Sequence, residues 1–330
     1  MPTYSAFRIH KDADGRVAGR LEELALVPPA DGEVQLRVSH SGINYKDALA
    51  ATGAGQILRR FPLTGGIDCA GVVAASRSPQ FREGDAALCN GSGMSETRDG
   101  GYAQYVTLPA ELLVPMPAGL DALQAMALGT AGFTAAIAFV AMERNGQSPT
   151  QGDVLVTGAS GGVGCWAIDL FSARGYRVVA LSGKTAEAGF LRSLGAAEVL
   201  DRAQWQHVAA PLATPRWAGA VDNLGGQFLA DVLAQVQLRG NVASIGLASG
   251  STLPTTVMPF ILRGVNLLGA SSANTPPAER RALWARLGAD MKPRHFAAIA
   301  ATQIALHELP GAFDAYLKGG VRGRTVVLIP

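Results

Sequence analysis

The sequence predicts an α/β protein with two parts, a β-rich domain and a doubly wound parallel sheet of six strands. Short alternating runs that end in turn residues fill the N-terminal third of the chain. Further on, a glycine-rich turn lies between a buried strand and a helix, and strands and helices then alternate regularly. With 330 residues, the chain is long enough for two ordinary domains with buried cores.

The β-rich part is predicted from Ala6 to about Pro117. Its strands end at Gly, Pro, Asn or Asp and are found in "EVQLRVSHSGI", "DCAGVVAAS", "DAALCNG" and "AQYVTLP". After Asp121 the composition changes, because "ALQAMALGTAGFTAAIAFVAME" is continuous, Ala-rich and typical of a helix. A polar loop from Gln147 to Gly152 then precedes the next strand. We therefore expect a domain boundary near residue 125.

The second part is predicted from six buried strands, in "DVLVTG", "RVVALSG", "AEVLD", "AGAVDNLG", "GNVASIGLA" and "VNLLGAS". Helices are expected between them, for example up to Gly175 and Gly195, and parallel neighbours need such crossover connections. From about Pro276 the chain is predicted to form a helix and a tail ending in the strand "GRTVVLIP", which returns to the β-rich domain. The predicted domains are 1–124 with 274–330, and 125–273.

The composition limits the possible partners. Hydrophobic residues make up 48% of the chain and charged residues only 16%, so we expect self-association. A net charge of +2 with scattered basic residues argues against a nucleic acid or membrane partner and favours a small-molecule ligand. The three cysteines form no CxxC pair, and the N-terminus lacks the apolar core of a signal peptide. We expect a cytoplasmic protein.

The glycine-rich turn fits two chemistries. Residues 158–162 match the Gly-x-Ser-x-Gly elbow of a hydrolase, whose acid could be Asp201 or Asp222 and whose histidine could be His295 or His307. However, the preceding strand opens a βαβ series, and Gly164 lies where a helix must pack against that strand. This context favours a dinucleotide site. The expected cofactor contacts in the turn are Ser160, Gly161, Gly162 and Val163.

The end of the second strand predicts which dinucleotide binds. A site for NAD would carry Asp or Glu there, but no acidic residue lies between Tyr176 and Ala186. Ser182 and Gly183 can approach a 2′-phosphate, and Lys184 offers a positive charge. Arg202, after the third strand, adds a second cation, although a solvated loop arginine explains it equally well. Ser182 and Lys184 also fit an ordinary helix start. The predicted cofactor is NADPH.

Several longer motifs resemble those of a known family. They are "SGINYKDALAATG", "GTAGFTAAIAF", "VTGASGGVG", "WAGAVDNLGG" and "LPTTVMPFILRGVNLLG". With them the whole chain resembles the medium-chain dehydrogenase/reductase superfamily, which pairs a GroES-like catalytic domain with a Rossmann domain. Its zinc-dependent members carry an early Cys and a Gly-His-Glu. Here "SGINYKD" has no Cys, and Gly66-Ile67-Asp68 stands in place of Gly-His-Glu, so no metal is expected. The motifs are most similar to NADPH-dependent acryloyl-CoA reductases of the YhdH type.

This resemblance implies a reaction. It is the reduction of the C=C bond of acryloyl-CoA to propanoyl-CoA, without a metal, in a cytoplasmic homodimer. Hydride would add to the β-carbon, and a proton to the α-carbon of the resulting enolate. Tyr45 is expected to contact nicotinamide or substrate and to donate that proton; alternatively it only packs over the cofactor cleft and water supplies the proton. Asn44 would orient the substrate, and Lys46 or Asp47 would organise the loop.

Other contacts follow from the resemblance by position. Leu247, after the fifth strand, and Ser272, after the sixth, should border the nicotinamide. Arg322 and Arg324 lie where the C-terminal tail reaches the cofactor cleft in relatives, and Arg324 is predicted to contact the cofactor. Arg263 falls near the dimer edge in relatives, with no role assigned.

Two alternatives to the acyl-CoA reductase stay open. A reductase of quinones or free enals would share the cofactor site without needing contacts to coenzyme A. A structural or sensing protein could bind NADPH without turnover, because a fold does not dictate a function.

Overall fold

The structure is a computed structural model that describes residues Met1–Pro330. The strands, in chain order, are β1 Thr3–Lys11, β2 Val17–Ala25, β3 Glu33–Gly42, β4 Leu63–Thr64, β5 Asp68–Ser76, β6 Ala86–Asn90, β7 Tyr105–Pro109, β8 Val114–Pro115, β9 Val154–Thr157, β10 Val178–Ser182, β11 Ala196–Asp201, β12 Trp217–Asp222, β13 Val236–Ser244, β14 Asn266–Gly269, β15 Thr302–Ala305 and β16 Thr325–Leu328.

The helices, in chain order, are α1 Tyr45–Thr52, α2 Ala122–Arg144, α3 Gly162–Ser172, α4 Ala188–Ser193, α5 Gly226–Gln235, α6 Met258–Arg263, α7 Pro277–Leu287, α8 Phe296–Ile299 and α9 Leu309–Leu317. α2 is broken at Gly129, where φ is 48°, a conformation that favours glycine. By length and composition α2 could cross a membrane, but 78% of its most apolar window is buried, as in a core helix.

The chain divides into two compact units. The first unit comprises Met1–Thr130, Ser272–Lys292 and Phe296–Pro330, and the second unit comprises Ala131–Ser271 and Pro293–His295. The small insertion at 293–295 has a local cause, because the buried Asp169 carboxylate in α3 accepts hydrogen bonds from the backbone N–H groups of Arg294 (2.9 Å) and His295 (3.0 Å).

The first unit is built on two sheets. One has three strands in the order β2-β1-β4, and the other follows the order β15-β16-β3-β5-β6-β8, with β7 also paired to β3. The tail returns as expected, since β16 pairs antiparallel with β3. Phe7, Tyr102 and Phe313 pack against one another in the core, at centroid distances of 5.8 to 6.4 Å.

The second unit contains the predicted parallel sheet. Its six strands have the order β11-β10-β9-β12-β13-β14, and every neighbouring pair is parallel. The predicted fold class, a GroES-like β-rich domain with a six-stranded doubly wound sheet, is confirmed. Strand order reverses between β9 and β12, and in such sheets ligands bind beyond the carboxyl ends of the strands at that point.

Candidate functional site

The glycine-rich turn links β9 to α3 with no space for larger residues at two positions. Gly158 has a φ of 58°, which an L side chain rarely adopts. A Cβ at Gly164 would lie 2.5 Å from the Gly158 oxygen and 2.7 Å from the Ala159 Cα. α3 then begins at Gly162, and its N-cap Gly161 provides no side-chain cap. Without a capping side chain, the first N–H groups of α3 can bind a ligand, as pyrophosphate binding requires.

Hydrogen bonds join the ends of the two strands at the reversal point. The Thr157 hydroxyl donates to the buried Asp222 carboxylate at 2.7 Å, and the Asn223 side chain donates to the Thr157 carbonyl at 2.7 Å. Burial raises the pKa of Asp222. A Cβ at Gly158 would lie 3.1 Å from the Asn223 Cβ. The glycine turn is therefore fixed against the end of β12.

The side chains proposed for a hydrolase are used elsewhere. The Ser160 hydroxyl is buried and lies 3.1 Å from the Ser182 hydroxyl. Asp222 bonds to Thr157, as described, rather than to a histidine. His295 Nδ1 lies 3.3 Å from Asp169, without hydrogen-bond geometry. No Ser-His-Asp arrangement forms around Ser160, so the dinucleotide interpretation is the one that the geometry supports.

Two basic residues follow the ends of neighbouring strands, Lys184 after β10 and Arg202 after β11. The buried Ser182 hydroxyl accepts a hydrogen bond from the Lys184 backbone N–H at 3.1 Å, which fixes the turn after the strand. A Cβ at Gly183 would lie 3.0 Å from Arg202 Nη2 and 3.1 Å from its Cζ, so the exposed Arg202 guanidinium lies over Gly183. The carboxylate of Asp201 accepts from its own turn, at the Ala203 N–H. These residues fit a 2′-phosphate.

The other cofactor positions predicted in the loops are less defined. Leu247 lies in the loop after β13 and is 62% exposed. That loop packs on the end of β12, because a Cβ at Gly246 would lie 2.3 Å from the Asn223 oxygen. Ser272 belongs to the first unit, and its carbonyl accepts from Arg280 Nη2 at 3.0 Å. Leu247 and Ser272 stay predictions.

Tyr45 is the accessible residue of the predicted active-site loop. It is the first residue of α1 and its side chain is 49% exposed. The next residue, Lys46, forms an ion pair with Glu96. Asp47 is buried and accepts from the Ile67 N–H at 2.9 Å, which ties α1 to the start of β5. Asp47 thus fixes the start of α1, and the Tyr45 side chain stays accessible.

Asn44 is held entirely by protein groups. Its side-chain oxygen accepts from Arg324 Nη1 at 2.9 Å, and its side-chain nitrogen donates to Asp68 at 2.7 Å and to Asp47 at 3.2 Å. Asn44 is 9% exposed. Its amide therefore has a positioning role in this structure, at the residue directly before Tyr45.

Arg324 is placed differently from the sequence prediction. The residue is 2% exposed, and its five N–H groups point at protein acceptors, which are Asp68, Asn44 and the carbonyls of Ile43, Met126 and Ala127. No N–H is left for a cofactor phosphate. We correct the predicted cofactor contact accordingly: Arg324 neutralises the buried Asp68 and ties the tail to β3, α1 and α2.

These contacts belong to a mostly buried cluster that the sequence did not reveal, which consists of Asn44, Asp47, Asp68, Thr130 and Arg324; Thr130 is half-buried. Asp68 accepts from the Thr130 N–H at 2.9 Å and from its hydroxyl at 2.6 Å. All five residues are connected by direct hydrogen bonds or the Asp68–Arg324 ion pair. One signal was present, since Asp68 is the first residue of a largely apolar strand and buried charges need partners.

The cluster predicts a pH dependence of stability. Burial, and then the negative charge of Asp68, raise the pKa of Asp47 to about 7, although N–H groups of Asn44 and Ile67 oppose the shift. The folded protein therefore holds a proton that the unfolded chain releases near pH 4. As the pH rises from about 4 to about 7, the free energy of unfolding should fall by up to about 1.4 kcal/mol per pH unit from this group.

Chemical denaturation at several pH values measures this effect. Asp47→Asn should flatten the profile between pH 5 and pH 7, whereas Asp14→Asn, at an exposed turn, should leave it as in the wild type. Parallel profiles for wild type and Asp47→Asn would contradict the assignment.

The residues present do not fit a zinc ion. The structure forms no group of three His, Cys, Asp or Glu side chains that could hold a metal. Ile67 offers no ligand atom, and the Asp68 oxygens accept from Thr130, Asn44 and Arg324. The three cysteines are buried.

Two family models match the chain. The alcohol dehydrogenase GroES-like domain matches residues 30–118, and the zinc-binding dehydrogenase model matches residues 162–289. Together they cover part of each unit. The match to the zinc-binding dehydrogenase model indicates family membership and not zinc binding, since this chain forms no cluster of possible zinc ligands.

Curated relatives cover nearly the whole chain. The probable acrylyl-CoA reductase AcuI of Escherichia coli is 46% identical, over 96% of this chain and 97% of its own. The acrylyl-CoA reductase AcuI of Ruegeria pomeroyi is 42% identical over 98% of each. The putative quinone oxidoreductase YhfP of Bacillus subtilis is 45% identical over 91% of each.

Solved structures share the fold. The YhdH oxidoreductase from Salmonella enterica in complex with NADP has a TM-score of 0.94 and 45% identity, covering 99% of this chain and 100% of that one. YhfP of Bacillus subtilis with NAD bound has a TM-score of 0.95 and 41% identity, with the same coverage. This chain belongs to the medium-chain dehydrogenase/reductase superfamily, in the quinone oxidoreductase-like branch that includes the YhdH- and AcuI-type reductases.

Proposed function

We propose that this protein reduces the C=C bond of acryloyl-CoA to propanoyl-CoA with NADPH. The preference for NADPH is supported by the end of β10. There, Lys184 and the Arg202 guanidinium over Gly183 lie beside a turn without an acidic residue. The substrate is supported by two relatives named as acrylyl-CoA reductases, at 46% and 42% identity.

NADPH would be held mainly by residues of the second unit. The backbone of Ser160, Gly161, Gly162 and Val163 would face the pyrophosphate at the start of α3. Ser182, Gly183, Lys184 and Arg202 would hold the 2′-phosphate. Leu247 and Ser272 are proposed contacts of the nicotinamide half.

NADPH supplies, when bound, a hydride for the β-carbon of the acryloyl group. The protein must then stabilise negative charge on the thioester oxygen and deliver a proton to the α-carbon. Tyr45, half exposed at the start of α1, is the proposed proton donor. The buried cluster fixes the backbone on both sides of this residue, through Asn44 and Asp47.

Replacing Tyr45 tests the proton donor. Tyr45→Phe should lower kcat by about 100-fold or more, because general acid catalysis typically contributes that much, while KM for NADPH changes less than about twofold. Steady-state kinetics measures both. Tyr4→Phe, on β1, is the control and should leave both unchanged. An unchanged kcat for Tyr45→Phe would mean that water or another group donates the proton.

The test of the proposed function compares substrates. NADPH oxidation is followed by absorbance with acryloyl-CoA, crotonyl-CoA, acrolein and a benzoquinone, each repeated with NADH. We expect fast turnover of acryloyl-CoA with NADPH and much slower turnover of the other pairs. Turnover of quinone or acrolein alone would overturn the substrate, and binding of NADPH without any turnover would favour a structural or sensing role.

A quinone reductase is the second candidate, and it is supported by a relative from Bacillus subtilis. YhfP, named a putative quinone oxidoreductase, is 45% identical to this chain. A quinone lacks coenzyme A and needs only the cofactor site and an apolar substrate surface. The ratio of quinone to acryloyl-CoA turnover separates the two candidates.

We also propose a homodimer, supported by the free edge of the parallel sheet. β14 is the last strand in the sheet order. Large apolar side chains around it are exposed: Leu238 by 70%, Ile261 by 71%, Leu262 by 58% and Leu267 by 36%. An exposed edge with apolar neighbours is suited to pairing with a second copy. Arg263, beside them, bonds within its own chain to carbonyls of Ala213 and Ala234.

Charges on this face should separate the dimer. Ile261→Asp/Leu267→Asp is expected to give particles with the mass of one 34.1 kDa chain in light scattering, whereas wild type gives twice that mass. Val27→Asp, an exposed apolar residue of the first unit, is the control and should stay dimeric. A dimeric double variant would place the interface elsewhere.

The remaining proposals concern surroundings. Three buried free cysteines suit a reducing compartment, which supports a cytoplasmic location. The net charge of +2 supports a small-molecule partner rather than nucleic acid or a membrane surface.

A further inference from the structure

The first unit contains a cavity that the proposed reaction does not yet use. Its volume is about 360 Å³, and it lies between the loop after β6 and the first turn of α7. Its polar lining includes Ser92, Arg98, Asn274, Thr275 and Arg280. Ligand cavities in proteins have this size or more, so the cavity is large enough for part of a small molecule.

Two guanidinium groups line the cavity. Arg280 is 3% exposed and is held by the carbonyls of Asn90 at 2.5 Å, Ser272 at 3.0 Å and Thr275 at 3.3 Å. Carbonyls fix its position without removing its full charge. Arg98 packs over Gly93, where a Cβ would lie 3.3 Å from its Nε. Two arginine side chains thus contribute positive charge to the cavity wall.

Donors beside the cavity lack partners within the protein. Arg98 Nε is buried and makes no hydrogen bond. Asn90 Nδ2, at the end of β6, and Ser95 Oγ, in the loop after it, are also buried without a partner, but neither residue lines the cavity. Buried polar groups are nearly always hydrogen-bonded, so the unpartnered Nε of Arg98, a residue that lines the cavity, points to a polar ligand.

The first turn of α7 adds to the positive potential. Pro276 and Pro277 line the cavity at this end of the 11-residue helix, and the N-cap Pro276 provides no side-chain cap. Helix N-termini favour anions. Glu279 opposes this effect, but it is exposed and does not line the cavity. Leu112 and the prolines form apolar walls.

We infer that this cavity binds the 3′-phosphorylated adenosine end of the acyl-CoA substrate, with its phosphate at Arg98. This inference rests on the proposed function and identifies how coenzyme A would be recognised. The phosphates of NADPH have proposed partners in the second unit, which leaves this site to another phosphate. Quinones carry no phosphate, so the cavity also favours the acyl-CoA substrate.

Kinetics with a truncated substrate tests the phosphate contact. Acryloyl-pantetheine lacks the phosphorylated adenosine. Arg98→Ala should lower the ratio of kcat/KM for acryloyl-CoA to that for acryloyl-pantetheine about tenfold or more, because a hydrogen bond between charged groups is lost. Arg98→Lys should recover part of this ratio. Arg82→Ala, at an exposed arginine of the first unit, is the control and should keep the wild-type ratio.

Calorimetry separates this inference from the proposed function. Adenosine 3′,5′-bisphosphate should bind the wild type and bind Arg98→Ala about tenfold more weakly, even if the enzyme reduces no acyl-CoA. If Arg98→Ala lowers kcat/KM equally for acryloyl-CoA and acryloyl-pantetheine, the phosphate contact is overturned. Binding of inorganic phosphate without binding of the bisphosphate would overturn the assignment to coenzyme A, as would unchanged affinity in Arg98→Ala.

Discussion

The variant Lys184→Glu/Arg202→Glu should exchange the cofactor preference of this protein. We expect kcat/KM for NADPH to fall by at least about 100-fold, because the double variant loses two cations near the 2′-phosphate and gains two like charges. The kcat/KM for NADH should fall little, because NADH has no 2′-phosphate. A carboxylate at this position can also accept hydrogen bonds from the ribose hydroxyls. The ratio of kcat/KM for the two cofactors measures the exchange.

A charge reversal close by provides the control. Arg192→Glu changes an exposed residue of α4, so it alters the net charge of the second unit without touching the end of β10. Its cofactor ratio should stay within about twofold of wild type. If Lys184→Glu/Arg202→Glu keeps the wild-type ratio, both residues are removed from the cofactor site.

This experiment concerns a feature that varies among relatives of the same fold. Salmonella YhdH was solved with NADP and Bacillus subtilis YhfP with NAD, at TM-scores of 0.94 and 0.95 to this chain. The two relatives thus share one fold but hold different dinucleotides. Under the proposed function, side chains at the end of β10 and after β11 would set the preference, which makes Lys184 and Arg202 the residues to change.

Local patterns predicted the fold and the glycine turn. Buried strands with intervening helices can form only a few topologies, and the observed order places β9 and β12 side by side as a doubly wound sheet requires. Gly164 was identified from spacing alone, and a Cβ at this position would lie 2.5 Å from the Gly158 oxygen, which shows why a side chain is excluded. Both inferences used residues that are close in sequence.

The buried cluster could not be predicted in the same way. Arg324 meets Asn44 across 280 residues of chain, and no local pattern records that distance. In sequence, an arginine beside glycines at the start of a strand resembles a solvated or ligand-binding residue. The cavity at Arg98 could not be predicted for a similar reason. It forms only where the loop after β6 packs near the first turn of α7.

Removal of Arg324 should strongly destabilise the first unit. Arg324→Met keeps much of the side-chain volume but leaves the carboxylate of Asp68, 0% exposed, without its cation. Breaking a buried ion pair on one side typically costs about 3–5 kcal/mol. We therefore expect the free energy of unfolding, from urea denaturation, to fall by about that amount.

Two further variants determine whether charge is the cause. Asp68→Asn/Arg324→Met removes both charges and should be less destabilised than Arg324→Met alone, because no uncompensated charge stays buried. Arg322→Met, at an exposed neighbour, should lower the free energy of unfolding by less than about 0.5 kcal/mol.

The same variants separate the two roles considered for Arg324. If Arg324 acts within the cluster, KM for NADPH in Arg324→Met, measured below its unfolding temperature, should stay near wild type. A large rise in this KM with unchanged stability would restore the cofactor contact and contradict the structural role.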